Sequence, residues 1–459
     1  MERGVTYAAS TDWVDAGGRL DRLPVGRFHR RLFALLGAGM FFDGFDLYLA
    51  GTVMGALVGT GFSTLALNGW FATSTITGMM IGAFAAGWLG DLFGRRFTYQ
   101  TNLAIYGLAS IAAAFAPDMP FLIAARFVIG IGLGAEVVVG YATFTEFVPP
   151  AVRGRWCAIM AMPIQFSLFA ATVTGLLITP TFGWRPMFLI AGFGALVVWY
   201  LRKNVPESPR WLERKGRGAE ADALLRRIEA ESGVPVVVKP PFHLLPQAPA
   251  SLLEPALLKR LFVGAVTLSV INIVVFGFII FIPTFFVQQG LSVVRSMGFT
   301  TFMTLGAPVG ALIPLFCADR LGRKWSLIGS ALAAALIGSA YPFVGSGAML
   351  AIVGFALLCM IYMNSVVSFA MLVPELFPTE VRLRGTGICN TIGRIVGALT
   401  PLAVVSLYKA DGITSVIMLM VGALVTQAVV VGMWAVEPSG QSLEALEAAL
   451  QREPVRQDA

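Results

Sequence analysis

Hydrophobic and polar positions alternate here on the scale of whole helices. Twelve mainly apolar stretches occupy 32–58, 67–89, 97–116, 121–145, 156–179, 185–202, 260–287, 297–317, 325–344, 347–373, 386–408 and 413–436. A helix of about 20 apolar residues crosses the hydrocarbon of a bilayer. The pattern therefore predicts an all-α integral membrane protein with 12 transmembrane helices. Polar tails, 1–31 and 437–459, flank them, and a longer polar segment, 203–259, divides them six and six. That segment holds an amphipathic run near 219–231 and a Pro-rich run near 235–255. The first apolar stretch is too long for the core of a cleaved leader.

Composition narrows the class. Apolar residues make up 57% of the 459-residue chain and charged residues 13%, about half the usual charged share of a soluble domain. A soluble enzyme of this size would lack polar surface, and no GxxxxGK, HExxH or GxSxG occurs. The net charge of +7 invites a nucleic-acid reading, but its placement argues otherwise. Of the 33 Lys and Arg, all but Arg126, Arg185, Arg295, Arg394 and Lys409 lie in the tails, the central segment and every second loop. Positive residues collect on the cytoplasmic face, so both termini are expected in the cytoplasm, the chain in an inner (plasma) membrane, and no nucleic acid as partner. Cys157, Cys317, Cys359 and Cys389 stand singly and are expected as free thiols, and His29 and His243 are far apart. No metal or cofactor is expected.

The chain also repeats itself. Gly90-Asp91-Leu92-Phe93-Gly94-Arg95-Arg96 follows the second apolar stretch, and Ala318-Asp319-Arg320-Leu321-Gly322-Arg323-Lys324 follows the eighth. Glu146 to Arg153 after the fourth stretch is echoed by Glu375 to Arg382 after the tenth. Two motifs recurring at nearly one offset describe a duplicated six-helix unit. Twelve spans, the long central segment and the doubled D-x-x-G-R-[RK] loop resemble the major facilitator superfamily over about residues 28–445. The resemblance implies two pseudo-symmetric bundles, 32–202 and 260–436, rocking about a central site.

Further motifs narrow the branch. Pro206 to Leu212 reads P-E-S-P-R-W-L, and Pro374-Glu375-Leu376-Phe377-Pro378-Thr379 precedes Arg382. Both resemble signatures shared by sugar porters and by organic-ion and aromatic-acid carriers. Asp43-Gly44-Phe45-Asp46 resembles the D-G-[FY]-D signature of the aromatic acid:proton symporters. The sugar-porter pattern of helix 7 is missing except for Asn272, and the P-E-T-K-G tail is degenerate at Glu437 to Gly440. These departures lower the case for a sugar.

Ionisable residues inside apolar stretches are costly, at roughly 2.5–3.5 kcal/mol each on insertion scales, and so mark function. Here they are Asp43, Asp46, Arg126, Glu136 and Arg394. Asp43 and Asp46 share one helix face and cannot both ionise easily in a dry site; the bland alternative is a pair that only fixes packing. Arg126 needs an anion, and Asp46 is the preferred partner, as in proton-coupled sugar porters, where an Asp of helix 1 faces an Arg of helix 4. Glu136 is either a second proton site or the partner of a polar neighbour. Gly130, Gly132 and Gly134 follow no strand and read as helix packing rather than a dinucleotide loop. Arg394 suits a substrate carboxylate or an intracellular gate, and Tyr48, Gln165, Asn272, Tyr362 and Asn364 could line the site. Asp91, Arg95, Arg96, Asp319, Arg323 and Lys324 read as a positive-inside loop or, by the resemblance, as gating networks completed by Glu146, Arg153, Glu375 and Arg382.

The expected activity is proton-coupled uptake of a small organic anion, an aromatic or related carboxylate, by a monomer whose partners are protons, that organic acid and the bilayer. A sugar or polyol symporter and a ligand-sensing, transporter-like receptor are the alternatives.

Overall fold

The computed structural model describes residues 14–233, 254–288, 290–344, 348–377 and 382–435. Among them there are helices and no strand. Short α1 (Ala16–Asp21) precedes six long helices: α2 (Arg27–Gly59), α3 (Leu65–Phe93), α4 (Arg95–Ala114), α5 (Met119–Phe147), α6 (Pro150–Phe182) and α7 (Arg185–Arg202). Two amphipathic pieces follow, α8 (Pro209–Arg214) and α9 (Gly218–Ser232). The second six columns are segmented. α10 (Pro255–Val274) runs through a π turn into α11 (Ile282–Gln288). α12 (Val293–Thr304), α13 (Gly306–Leu312) and α14 (Pro314–Leu321) form one column, and α15 (Arg323–Ala340) the next. α16 (Ala348–Val366) runs through a second π turn into α17 (Val373–Glu375), and α18 (Arg382–Asp411) and α19 (Ile413–Trp434) complete the set. Eight of these helical runs are long and apolar enough, by length and composition, to cross a membrane.

Local chemistry sets the boundaries. The side chains of Thr64, Asp118, Ser208 and Ser292 accept from backbone N–H groups in the first turns of α3, α5, α8 and α12, which satisfies donors a helix leaves orphaned. The repeated Gly-Arg step is a backbone device. Gly94 and Gly322 have φ of 98° and 86°, a region that a side chain disfavours, so each ends one column and starts the next within a single residue.

Packing within each half depends on small residues. Gly78 and Gly82 of α3 lie directly on the backbone of α5, while Gly130 and Gly134 of α5 lie on that of α3. Gly306 and Gly310 of α13 meet the backbone of α16 in the same way. A Cβ at any of these positions would push the helices apart. Large apolar side chains such as Phe84, Phe316 and Phe343 point outward and are exposed, as a bilayer requires. Cys317, Cys359 and Cys389 are free thiols.

Among the described residues, several contacts between the halves gather toward one end. α2 starts beside α9 and ends at Gly59, and its last two turns lie against the second half, Gly51 on Ile280 and Gly55 on Pro283. Gly69 of α3 meets Val405 and Leu402 of α18, and Thr73 Oγ1 donates to Ala398 O at 3.0 Å. The Thr172 and Thr304 hydroxyls share a 2.7 Å hydrogen bond. All of these lie toward the end away from α1, α8 and α9.

Candidate functional site

The interior of the first half contains two sets of charges. In the first, Arg126 Nη1 donates to Asp46 Oδ2 at 2.6 Å, with both side chains fully buried. Ser110 Oγ donates to the other carboxylate oxygen at 2.9 Å, and Arg126 Nε donates to Thr75 Oγ1 at 3.0 Å. The guanidinium also lies over the Phe71 ring, 5.0 Å from its centroid. Four helices, α2 to α5, thus converge on one neutral pair. Removing either partner would strand a charge in a dry interior, at a cost of about 3–5 kcal/mol.

The second set lies nearer α9. Glu136 of α5 is paired with Arg202 at the end of α7. Arg202 also donates to the carbonyls of Leu35 and Leu36 at 2.8 and 2.7 Å and lies over the Tyr99 ring. Gly39 makes room for it: a Cβ there would overlap the guanidinium and crowd Glu136. Asp43, one turn further along α2, is 4% exposed, and neither carboxylate oxygen has a partner among the described residues. Sequence reading missed Arg202, which stands at the last position of its apolar stretch, beside Lys203, and so reads as an interfacial charge.

The remaining residues divide. Tyr48 of α2 and Tyr362 of α16 bring their phenols together across the two halves. Gln165 of α6 is partly buried with its carbonyl oxygen unpartnered. Asn272 Nδ2 donates to Leu268 O within its own helix at 2.7 Å, and Gly393 and Gly397 of α18 press against it. Arg394, between those glycines, is partly buried and makes no hydrogen bond or ion pair with the described residues. Asn364 is placed differently. Its amide donates to Leu327 O and Ser330 Oγ of α15, and its oxygen accepts from Ser368. It bridges helices, with both amide hydrogens engaged. A groove of about 880 Å³ between α10, α18 and α19 has an apolar wall that includes the exposed Phe262 and Met418. It contains none of these groups.

At the end bearing α8 and α9 the two halves carry matching pairs. Arg95 meets Glu146 at 3.0 Å, and Arg323 meets Glu375 at 3.1 Å. Glu207 adds a cap that spacing alone does not reveal, accepting from the backbone N–H of Arg95 at 2.9 Å and of Arg96 at 3.1 Å. An acidic cap at a helix start is favourable. Arg96 Nη2 donates to Lys203 O at 2.6 Å, and Lys324 Nζ to Ala435 O at 2.8 Å. The side chains of Asp91, Arg153, Asp319 and Arg382 lie outside the described residues.

The polar tail also has a structure. Arg19 of α1 is buried and holds Glu229 of α9 with two hydrogen bonds, at 2.9 and 2.7 Å, and Asp222 with one at 2.7 Å. Glu213 accepts from the backbone of Val14 at 2.8 Å, and Arg210 reaches Asp21 at 2.6 Å. The hydrogen bond from Arg19 holds the Asp222 carboxyl below its ordinary range, while Glu229 holds the Arg19 guanidinium above its own.

Known proteins with this arrangement can now be compared. The pattern of the Major Facilitator Superfamily matches residues 36–401. The chain belongs to that family. It is 37% identical over 448 residues to the inner membrane metabolite transport protein YdjE of Escherichia coli (strain K12), covering 93% of this chain and 97% of that one. It is 32% identical over 441 residues to the niacin transporter NiaP of Acinetobacter baylyi, covering 94% and 100%. The xylose transporter XylE of E. coli, solved in a partially occluded inward open conformation, superposes with a TM-score of 0.70 at 19% identity, over 90% of this chain and 99% of that one. This chain is thus an integral membrane transporter of small molecules, not an enzyme, with the 12-helix fold of its family.

Proposed function

We propose that this transporter couples proton entry to uptake of a small organic anion, an aromatic or related carboxylate. The carrying observation is Arg394. Arg126 and Arg202 each hold a carboxylate of the protein, whereas Arg394 has none among the described residues. A guanidinium left without a counter-ion between helices is suited to a carboxylate that arrives from outside. The similarity to a niacin transporter supports this reading, since niacin is an aromatic carboxylic acid.

Energetics supply the proton. An anion entering a cell with a negative interior is opposed by about 2.3 kcal/mol per charge at 100 mV, and at least one co-transported proton offsets that. The Asp46–Arg126 pair is the switch we assign to coupling, with Asp43 and Glu136 behind it. Protonating Asp46 would free Arg126 and loosen the junction of four helices. Tyr48, Tyr362, Gln165 and Asn272 complete the proposed substrate lining with Arg394.

Bundles 32–202 and 260–436 rock against one another, with the tails 1–31 and 437–459 and the segment 203–259 on the cytoplasmic side. In that orientation the contacts of Gly51, Gly55, Gly69 and Thr73 with the second half lie on the outer side. Arg95–Glu146, Arg323–Glu375 and their neighbours Asp91, Arg96, Arg153, Asp319 and Arg382 form the proposed gate. The protein is proposed to work as a monomer. A sugar or polyol symporter is the second reading, favoured by the likeness to a xylose transporter and by the Asp46–Arg126 pair. Uptake into vesicles holding the purified protein, under an imposed pH gradient, separates the two. Labelled nicotinate, benzoate or a hydroxybenzoate should accumulate and be released by a protonophore. Accumulation of a hexose or pentose alone would overturn the carboxylate reading.

A further inference from the structure

We propose that Asp43, Glu136 and Arg202 form a second ionisable centre, separate from Asp46–Arg126, that holds one proton in this conformation with Asp43 as its carrier. The argument is a charge count. The centre has two carboxylates and one guanidinium, and the guanidinium is already committed to Glu136 and to the carbonyls of Leu35 and Leu36.

The charged groups that bear on Asp43 are Asp46, Glu136 and Arg202. Asp46, one turn along α2, belongs to Arg126 and Ser110. The Tyr106 phenol of α4 gives its proton to the carbonyls of Phe42 and Ala191, at 2.9 and 3.3 Å. Glu136 of α5 and Arg202 of α7 are paired with one another, through one Glu136 oxygen. Asp43 is thus left buried, with both oxygens lacking a protein donor and two carboxylates beside it. A buried, unpaired carboxylate neutralises rather than remain charged. Gly39 lets the guanidinium rest on α2 itself, one turn from Asp43, so movement of α2 against α5 and α7 would change its distance from that carboxyl group. The proton comes from solvent water and returns to it, and no bond of the substrate changes. Arg202 is a positioning residue here.

The inference deepens, and rests on, the proton-coupled reading, yet it can be tested apart from transport. The full chain in lipid nanodiscs would be examined at neutral pH by infrared spectroscopy, for the carbonyl stretch of a protonated carboxyl group. The wild type should show the band and Asp43→Asn should lose it. Glu136→Gln should lose it as well, because the released Arg202 then neutralises Asp43. Asp46→Asn should keep it. A band that survives Asp43→Asn, or persists in Glu136→Gln, overturns the shared centre. The same preparations in vesicles separate the two claims. If the bands behave as stated but no pH gradient drives uptake, the transport reading fails and the centre stands. If uptake is proton-driven but the bands do not respond, the centre is refuted.

Discussion

The two halves share a fold and a loop motif but differ in what they bury. The first half encloses Asp43, Asp46, Arg126, Glu136 and Arg202. Among the described residues of the second half, no charged side chain is as deeply buried, and Arg394 alone of its transmembrane interior is partly so. The backbone differs in the opposite sense. The long helices of the first half run without a π turn, whereas α10–α11 and α16–α17 each pass through one, a feature frequent at functional sites. On the proposed function, ion chemistry sits on the regular helices of the first half and substrate recognition in the second, whose columns carry the π turns. At the end bearing α8 and α9 the difference disappears, and Arg95–Glu146 matches Arg323–Glu375.

The sharpest way to break this comparison is to remove the ion chemistry. One pH unit across the membrane supplies about 1.4 kcal/mol per proton, or roughly tenfold accumulation. Asp46→Asn should abolish that accumulation, and vesicle uptake that still runs uphill in the variant would remove Asp46 from coupling. Next in size is the second half. Hydrogen bonds to a charged group contribute about 1.5–3 kcal/mol, so Arg394→Ala should weaken carboxylate binding about 10- to 100-fold while leaving thermal stability nearly unchanged. Unaltered affinity by calorimetry would place the substrate elsewhere.

Smaller effects test the symmetry. Glu146→Gln and Glu375→Gln should each slow transport by a few-fold with little change in substrate affinity, since partly exposed pairs are worth about 1 kcal/mol or less. Unequal effects in paired binding and uptake assays would show that one half dominates the gate. The smallest concerns the tail. Asp222 titrates lower in the folded chain than in the unfolded one, so its contribution is complete above an unfolded value of about 4. That contribution fades as pH falls through the lowered folded value. Hydrogen exchange of α1 should therefore quicken only in acid, and Arg19→Ala should quicken it at neutral pH.

What the sequence made legible follows from the range of each signal. Apolar length, the doubled loop and the glycines at 94 and 322 act locally or repeat, so they are visible along the chain. The Asp46–Arg126 pair was legible because two intramembrane charges of opposite sign have few places to go. Arg202 was not, because its position beside Lys203 disguised it, although its partner lies 66 positions away in α5. The tail contact was hidden for a related reason. The 31-residue tail, mixed in charge, carries no periodicity, and Arg19 finds Glu229 only across the folded surface. The helix-bridging contacts of Asn364 were not legible, because a polar residue in an apolar run looks the same whether it meets a ligand or a neighbouring helix.

On the proposed function, an aromatic carboxylate and a proton cross together. The direct measurement adds nicotinate or benzoate to vesicles holding the purified protein, in weak buffer, with an external pH probe and labelled substrate followed together. The account predicts that the outside medium becomes more alkaline in step with entry of label, and that Asp46→Asn removes both signals. Entry of label with no change in external pH would contradict it.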